Sequence, residues 1–210
     1  AGYFSGSCGI TYYGGGAFGE KYKNTIWVAD VVLNLIHIDK IKSNGASFTA
    51  SRLFDNKDFL ASTDRSFRPV NMSVGPDGSM YILDMHRKVI EHPEWIPDEI
   101  ETTLDLNAGK NQGRIYKVSL IDNPKSFNAQ QFKSTDGLIQ SLGSPNQWVR
   151  TTAHRLLMEN SLTNDVFLKL RKLLHSEGHL SRLHALWILS HSGKLTAKEV
   201  IIALRNNTGS

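Results

Sequence analysis

The sequence is poor in several features that would point directly to a function. It has one cysteine, Cys8, so neither an intramolecular disulfide nor a CxxCH haem site can form within its 210 residues. No apolar run approaches the roughly 20 residues that cross a bilayer. The net charge of +4 is spread along the chain, which argues against a dedicated nucleic-acid or membrane surface. What remains is the composition of an ordinary globular protein, with 40% hydrophobic and 21% charged residues.

The two ends also lack the signals of a complete protein. The chain starts Ala-Gly-Tyr-Phe, without an initiator methionine or a charged and then apolar leader, so any signal peptide would lie upstream. It stops in a helical pattern around Leu204, with no partner helix after it. We therefore expect a piece of a longer protein, whose location these ends do not reveal.

Residues 1–120 have the pattern of short β-strands. Four β-rich runs lie close together, with turns between them, at residues 10–13, 25–30, 35–39 and 48–54. The pattern restarts with three more runs, at residues 70–74, 80–84 and 113–119, the first two joined by a Gly-Pro-Asp-Gly turn. Four short antiparallel strands are typical of a propeller blade. We predict the last two blades of a β-propeller, with the missing fourth strand supplied from upstream.

A long insertion interrupts the second of these groups of strands. Residues 86–112 far exceed the about 2–5 residues of an ordinary hairpin loop, and they carry Pro93, Trp95 and Pro97 before an acidic stretch. A short helix over residues 97–104 is expected, with Pro97 in its first turn. A loop of this length is either a small packed excursion or part of a functional rim.

From Thr135 onward the periodicity becomes helical. A polar linker at residues 121–134 leads to a helical domain at 135–210, with helices expected at 136–142, 148–158, 166–174, 180–189 and 197–205. The pattern repeats, because residues 153–157 match 185–189 and residues 166–171 match 200–205. Helix pairs at this period favour a truncated α-solenoid closest to the HEAT type. The five histidines of this region form no zinc pattern with cysteines, so no metal site is expected.

Two stretches resemble a known family. Residues 67–87, FRPVNMSVGPDGSMYILDMHR, followed by GRIYKV, resemble the propeller of soluble, pyrroloquinoline-quinone-type (PQQ-type) sugar dehydrogenases. They are more closely similar to the large bacterial membrane-bound dehydrogenase proteins, in which HEAT-like repeats and often a cytochrome c domain follow the propeller. Residues 182–189, RLHALWIL, are similar to the helical part of those proteins.

The resemblance implies a periplasmic or exported oxidoreductase that oxidises sugars or related alcohols with PQQ, with calcium as a further cofactor. A base takes the hydroxyl proton, hydride passes to the quinone, and electrons leave through a cytochrome c domain or protein. The histidine base lies in earlier blades, so this chain alone is not expected to be active. The alternative is a non-catalytic platform that holds a polysaccharide or a protein, since propellers host both functions.

Arginines near the Pro-Asp-Gly turn are the candidate cofactor-binding residues. By the resemblance, Arg68 and Arg65 fall nearest to an arginine that pairs with the anionic quinone, and a guanidinium fork suits such an oxygen. Arg68 can equally cap a strand and pair with Asp64 or Asp84. Asp64 and Asp77 are carboxylates of the type that binds calcium, although the turn itself accounts for Asp77.

A candidate rim site follows the strand at residues 80–84. Asp84, His86 and Arg87 lie at its end, where propellers place functional groups, and His92 lies farther along the insertion. The same residues could instead hold the insertion in place. No catalytic set can be assembled from this chain alone.

Other polar and aromatic residues are interpreted structurally. His37 alternates with two isoleucines and is expected to be a bonded structural histidine on the opposite face of its strand. Trp148 and Trp187 are expected to pack in the helical core. Because blades with missing neighbours expose unpaired strand edges, we also expect self-association through these edges, or packing of the solenoid against the open blade face.

Overall fold

The computed structural model describes residues 4–122 and 124–205, which divide into two compact units. The described part of the first unit comprises residues 4–13, 18–75 and 79–122, and that of the second comprises residues 14–17, 76–78 and 124–205. Antiparallel sheets come first along the chain and helices follow. The predicted order of β structure and then α structure is therefore confirmed. None of the helices in the described ranges is long and apolar enough to cross a bilayer.

The first unit contains two antiparallel sheets. The first sheet has the order β1-β2-β3-β4, and a fifth short strand also pairs with β3; the strands are β1 (Ser7–Tyr12), β2 (Thr25–Asp30), β3 (Leu35–Asn44), β4 (Ser47–Arg52) and β5 (Leu60–Ala61). The second sheet has the order β6-β7-β8, with β6 (Pro69–Val74), β7 (Met80–Asp84) and β8 (Arg114–Val118).

The strand boundaries agree best where side chains alternate clearly. β2 and β7 have the bounds expected from the sequence, whereas β3 runs five residues farther and β5 was not expected. The extension of β3 is polar except for Ile41 and pairs with β4 up to Asn44 opposite Ser47. Gly45 closes this hairpin with φ of 60°, a conformation that glycine adopts without steric cost.

Trp27 lies at the centre of the core of the first sheet. It is fully buried on β2, and its ring lies 4.5 Å from that of Phe59 and 5.7 Å from that of Phe18, centroid to centroid. The alternation of β2 places Thr25 on the same face, and its hydroxyl accepts a bond from the Trp27 indole N–H at 3.1 Å. The indole therefore keeps a hydrogen-bond partner in an apolar core.

The two sheets meet through β1, β2 and β6. Thr11 donates from its hydroxyl to the carbonyl of Met72 at 3.0 Å. Gly9 lies in a bulge of β1 with φ of 55°, and a Cβ there would come within 2.7 Å of Asn71 Cα. Only glycine permits this close approach, so the bulge lets β1 lie directly against β6.

The insertion in the first unit carries a helix shorter than expected. Helix α1 (Asp98–Glu101) follows Pro97, which caps it, and a 3-10 turn precedes it at Pro93–Trp95. Gly109 must be glycine, because a Cβ at this residue would lie 2.2 Å from the carbonyl oxygen of His86. The end of the insertion thus returns to the place where the insertion starts.

The second unit contains five helices in its described part. They are α2 (Thr135–Ser141), α3 (Gln147–Glu159), α4 (Asn164–Leu173), α5 (His179–His191) and α6 (Ala197–Arg205), and a 3-10 turn at Ala129–Phe132 precedes them. α2 packs on α3 and α4 packs on α5, while α2 also contacts α4 and α3 also contacts α5. The core between them is apolar and includes Leu142, Leu157, Leu170 and Ile188, all nearly or fully buried.

Equivalent arginines repeat between the two helix pairs. Arg150 donates from Nη1 to the carbonyl oxygens of residues 144 and 145, at 2.7 and 2.9 Å. Arg182, 32 residues later, donates in the same way to those of residues 176 and 177, at 2.5 and 2.9 Å. The repeat seen in the sequence therefore extends to a polar contact that holds the loop before each second helix.

The two tryptophans of this unit differ in their surroundings. Trp148 is half-buried, and its ring lies 5.3 Å from that of Phe127 and 6.1 Å from that of Phe132. Trp187 is 61% exposed, so its predicted role in the core is wrong. On α5 the core positions are occupied by Ala185 and Ile188, and the 100° step between successive residues turns Trp187 away from them.

Candidate functional site

Asp84, the last residue of β7, is the centre of the candidate site. Its carboxylate is fully buried, and Oδ1 accepts hydrogen bonds from the backbone N–H groups of Arg68 and His86, both at 2.8 Å. Oδ2 lies 3.4 Å from Nδ1 of His86 and 3.8 Å from Nε of Arg114. A buried carboxylate needs such partners, and here two backbone segments and two side chains supply them. We call Asp84, His86 and Arg114 the Asp84 centre.

His86 adopts a left-handed backbone conformation, with φ of 53°. This conformation is uncommon for a residue with a Cβ, although histidine is among the types that adopt it most often. The conformation turns the chain out of β7 and places Nδ1 beside Asp84. Nε2 of His86 has no hydrogen-bond partner among residues 4–122 and 124–205, and 10% of the side chain is exposed. One ring nitrogen is therefore held beside Asp84, and this contact fixes the direction in which the other points.

Arg114 completes the centre from the neighbouring strand. It is paired with Asp84 across β7 and β8, and 42% of its side chain is exposed. Sequence reasoning missed Arg114, because its pairing with Asp84 depends on a register across the long insertion. Opposite charges at facing strand positions are a usable signal only once that register is known.

Arg68 is tied to the backbone around it. Nε donates to the carbonyl of Arg87 at 2.8 Å, Nη1 to that of Val31 at 2.7 Å, and Nη2 to that of Lys88 at 2.9 Å. The side chain is nearly buried, and burial lowers its pKa against the opposing effect of Asp84. These contacts join the turn after β2 to the start of the insertion and support a structural role. The cofactor-binding role of Arg68 stays a prediction.

The other predicted site residues lie apart from the Asp84 centre. Arg65 and His92 are exposed, and His92 accepts the N–H of Glu94 at 3.4 Å in the 3-10 turn that it caps. Arg87 is half-buried, and its carbonyl receives Arg68. Of the predicted rim residues, the structure therefore brings only Asp84 and His86 together.

Asp64 lies near the Asp84 centre. The backbone N–H of Ser66 donates to Asp64 at 2.8 Å and is the main cause of its lowered pKa, to which the charges of His86 and Arg114 add. Within the described residues no group of three or more histidine, cysteine, aspartate or glutamate side chains is arranged to hold a metal ion.

His37 is bonded at both ring nitrogens. Nδ1 lies 2.8 Å from Asp58 and Nε2 lies 2.8 Å from Asp39, and the ring is almost fully buried. Ile36 and Ile38 on the other face of β3 are also buried, so both faces of the strand are covered here. No ring atom of His37 is left for a substrate, as expected of a structural histidine.

The model of a known family matches residues 1–122, more than half of the chain, and its description is "Domain of unknown function (DUF7133)". The chain belongs to this family. The residues of the DUF7133 match include both sheets and the whole Asp84 centre, whereas the helices α2–α6 lie outside it. Neither the curated proteins nor the solved structures that were compared include a match to this chain.

Proposed function

We propose that this chain is part of a quinone-dependent dehydrogenase of sugars or related alcohols, and that its Asp84 centre contacts the hydroxyl groups of the substrate. The observation that carries the second part is the pairing of His86 Nδ1 with the buried Asp84, which leaves Nε2 without a partner in the described structure. A carboxylate that fixes one imidazole nitrogen also fixes the direction of the other. With the exposed part of Arg114, the centre offers polar groups that suit a polyhydroxylated molecule.

In this proposal, the two sheets of the first unit are two blades of a β-propeller. Within each sheet, apart from the short β5, the strands follow one another in sequence order, and the first strand of one sheet lies against the first strand of the other. A propeller has this arrangement, because its blades are radial sheets that meet along their inner strands. The bulge at Gly9 and the bond from Thr11 to Met72 support such an inner contact.

In the same proposal, the helices of the second unit are the start of a HEAT-like α-solenoid. The first helices of the two pairs, α2 and α4, contact each other, and so do the second helices, α3 and α5. Stacking of like on like is what a solenoid requires, because each repeat buries its apolar face against the next. Arg150 and Arg182 make equivalent loop contacts 32 residues apart, which supports the same interpretation.

The described residues do not by themselves fit a quinone site. The guanidinium of Arg68 donates its hydrogen bonds to backbone carbonyls, and the side chain of Arg65 is exposed. The proposal therefore assigns the quinone, any calcium and the base to other parts of a longer protein. An exported or periplasmic location and a cytochrome as electron acceptor are parts of the proposal that rest on the resemblance alone.

A non-catalytic platform for polysaccharide is the second candidate. Trp95 in the insertion is 78% exposed, and an exposed indole is a surface on which a sugar ring can stack. Under this alternative the Asp84 centre and Trp95 bind sugar units but no oxidation follows. Binding without turnover by the longer protein would favour this candidate.

The experiment that tests the proposal is steady-state oxidation of sugars and alcohols by the longer protein, with quinone, calcium and a dye as electron acceptor. His86→Asn is the informative variant, because asparagine tolerates the left-handed backbone but lacks the imidazole. We expect the KM to rise about tenfold, the loss of one hydrogen bond, with kcat changed less than twofold. His175→Asn, an exposed histidine of the helical unit, is the control and should change neither constant.

Two results would contradict the proposal. If the wild-type protein turns over substrate and His86→Asn has an unchanged KM, the Asp84 centre does not bind the substrate. Absence of turnover on every sugar and alcohol tested would show that the proposed dehydrogenase activity is wrong.

A further inference from the structure

Two histidines from different helices meet in the second unit. His154 on α3 and His184 on α5 have their Nδ1 atoms 3.1 Å apart, with ring centroids separated by 5.1 Å and ring planes at 61°. Each histidine adjoins a fully buried alanine, Ala153 or Ala185. Because alanine is small, α3 and α5 can approach closely at this level, and the two imidazoles face each other from rigid helices.

The surroundings favour the neutral form of both rings. Burial lowers the pKa of His184 to about 4, with further contributions from His154 and Arg150. Burial also lowers the pKa of His154, and the charge of His191 adds to this effect. With both rings neutral, only one of the facing Nδ1 atoms can carry a proton, so at least one lone pair points into the gap.

We propose that His154 and His184 bind one divalent transition-metal ion of the zinc, nickel or copper type through their Nδ1 atoms. Zinc–imidazole bonds are about 2.0–2.1 Å long, and a tetrahedral angle between two of them puts the nitrogens about 3.3 Å apart. The observed separation of 3.1 Å requires only a small rotation of the rings to meet this value.

Imidazole is the ligand type that zinc, nickel and copper share, and neutral imidazole is the form that binds them. Since no third histidine, cysteine or carboxylate joins the pair within the described chain, the ion would complete its coordination with water. An ion with water in some positions is an open site, as in catalytic or exchangeable centres, not a closed structural one. The sequence could not show this pair, because the two histidines lie 30 residues apart and match no ligand motif.

The charged groups around the pair predict how binding depends on pH. Arg150 approaches from α3 and His191 from α5, and Nη1 of Arg150 is bonded to the loop carbonyls of residues 144 and 145. A pair of ordinary histidines with pKa near 6.5 would lose about tenfold in affinity between pH 7.5 and 6, because protons compete with the metal. Because the pKa of both rings is lowered, this loss should be smaller for His154 and His184.

Calorimetric titration of the full chain with zinc chloride, after removal of metals with a chelator, tests the proposal. We expect one equivalent of zinc with a micromolar dissociation constant. His154→Ala and His184→Ala should each weaken binding at least tenfold. His175→Ala is the matched control, because His175 is exposed, and it should leave the constant unchanged. His184→Gln, which keeps more of the side-chain volume, serves if the alanine variants lower the melting temperature.

Imidazole nitrogen shifts provide an independent readout. Zinc should shift the Nδ1 signals of His154 and His184 and not those of His175. Absence of one-equivalent binding, an unchanged constant in the His154 and His184 variants, or an equal loss in His175→Ala would each overturn the site. The two facing nitrogens would then be only a hydrogen-bonded pair.

Discussion

The two units bury very different side chains. Among the described residues, the sheet unit buries five acidic, basic or histidine side chains, whereas the buried polar residues of the helical unit are two serines; the five are Asp30, His37, Arg68, Asp84 and His86. The difference follows from backbone bonding. Helices satisfy most of their own N–H and C=O groups, while the irregular connections between strands must find partners elsewhere.

Asp30 shows how a buried carboxylate meets this need. Its two oxygens accept hydrogen bonds from the backbone N–H groups of four residues, Ser5, Gly6, Val32 and Leu33, at 2.9 to 3.1 Å. These bonds lower its pKa against the effect of burial. The sheet unit therefore adds specific buried polar contacts to its apolar core, whereas the buried interior of the helical unit is almost entirely apolar.

The largest effect is expected from removing the central carboxylate of the sheet unit. Asp84→Ala leaves two backbone N–H groups without an acceptor and two side chains without their anion. Loss of one partner in a buried charged network costs about 3–5 kcal/mol, so we expect the free energy of unfolding to fall by about 4 kcal/mol. Urea unfolding of the variant and the wild-type protein measures this change in the free energy of unfolding. Asp55→Ala, at an exposed aspartate, should change stability by less than about 0.5 kcal/mol; an equal effect of both variants would refute the network.

A somewhat smaller loss is expected from a cavity in the helical core. Leu170 on α4 is fully buried, and Leu170→Ala should lower the free energy of unfolding by about 3 kcal/mol. Leu168 on the same helix is 58% exposed and supplies the matched control, since Leu168→Ala removes the same atoms from a solvent-facing position. Similar losses in the two variants, measured by urea unfolding, would show that the helical unit does not depend on this core.

Acid should affect the two units in different pH ranges. The pKa of His184 is lowered to about 4, so the unfolded chain takes up this proton first and stability falls as the pH drops from about 6.5 toward 4. The pKa of Asp30 is lowered from 3.8, so its contribution is present above about 3.8 and is lost below it.

Hydrogen exchange followed by mass spectrometry separates the two ranges. Between pH 6.5 and 4.5, after correction for the intrinsic rate, protection should decrease in α3 and α5 and remain in β2 and β3. His184→Gln should remove this difference. Loss of protection in the sheet unit first would reverse the expected order.

The sheet unit also differs from the helical unit in having open strand edges. β4 is exposed along its whole length and β8 along most of it, and each is the last strand of its sheet in the described structure. Open edges pair with other chains, so we expect the isolated chain to self-associate with increasing concentration.

Light scattering of Ile115→Lys, a charge on the edge strand β8, measures the contribution of this edge. We expect the apparent dissociation constant of self-association to rise about tenfold, since charged edge residues discourage pairing. Ile201→Lys on α6 is the control, because Ile201 is also exposed but lies on a helix. A monomer at all concentrations would mean that the edges are blunted.

The sequence predicted the fold best where patterns are local. β2, β7 and α6 have their expected bounds, because alternation and helical periodicity are properties of a few neighbouring residues. β5 was missed because two paired residues leave no pattern. Trp187 was misplaced because periodicity shows that an apolar stripe exists but not how wide it is.

The candidate site was less predictable, because its contacts are distant in sequence. Asp84 and His86 lie two residues apart at a strand end, so the sequence could single them out together, whereas Arg114 joins them only through the pairing of β7 with β8. The contacts of Arg68 to the backbone at Val31 and Lys88 depend on how separate loops meet. Such contacts are set by tertiary packing, which no local pattern encodes.

Turnover by the longer protein and by this chain, measured side by side, tests the central claim most directly. The assay follows dye reduction with a panel of sugars and alcohols in the presence of pyrroloquinoline quinone and calcium. We predict oxidation by the longer protein and no turnover by the 210-residue chain, because the proposed function places a substrate contact at the Asp84 centre and the quinone site outside this chain. Turnover by the chain alone, or saccharide binding without oxidation by the longer protein, would contradict the account.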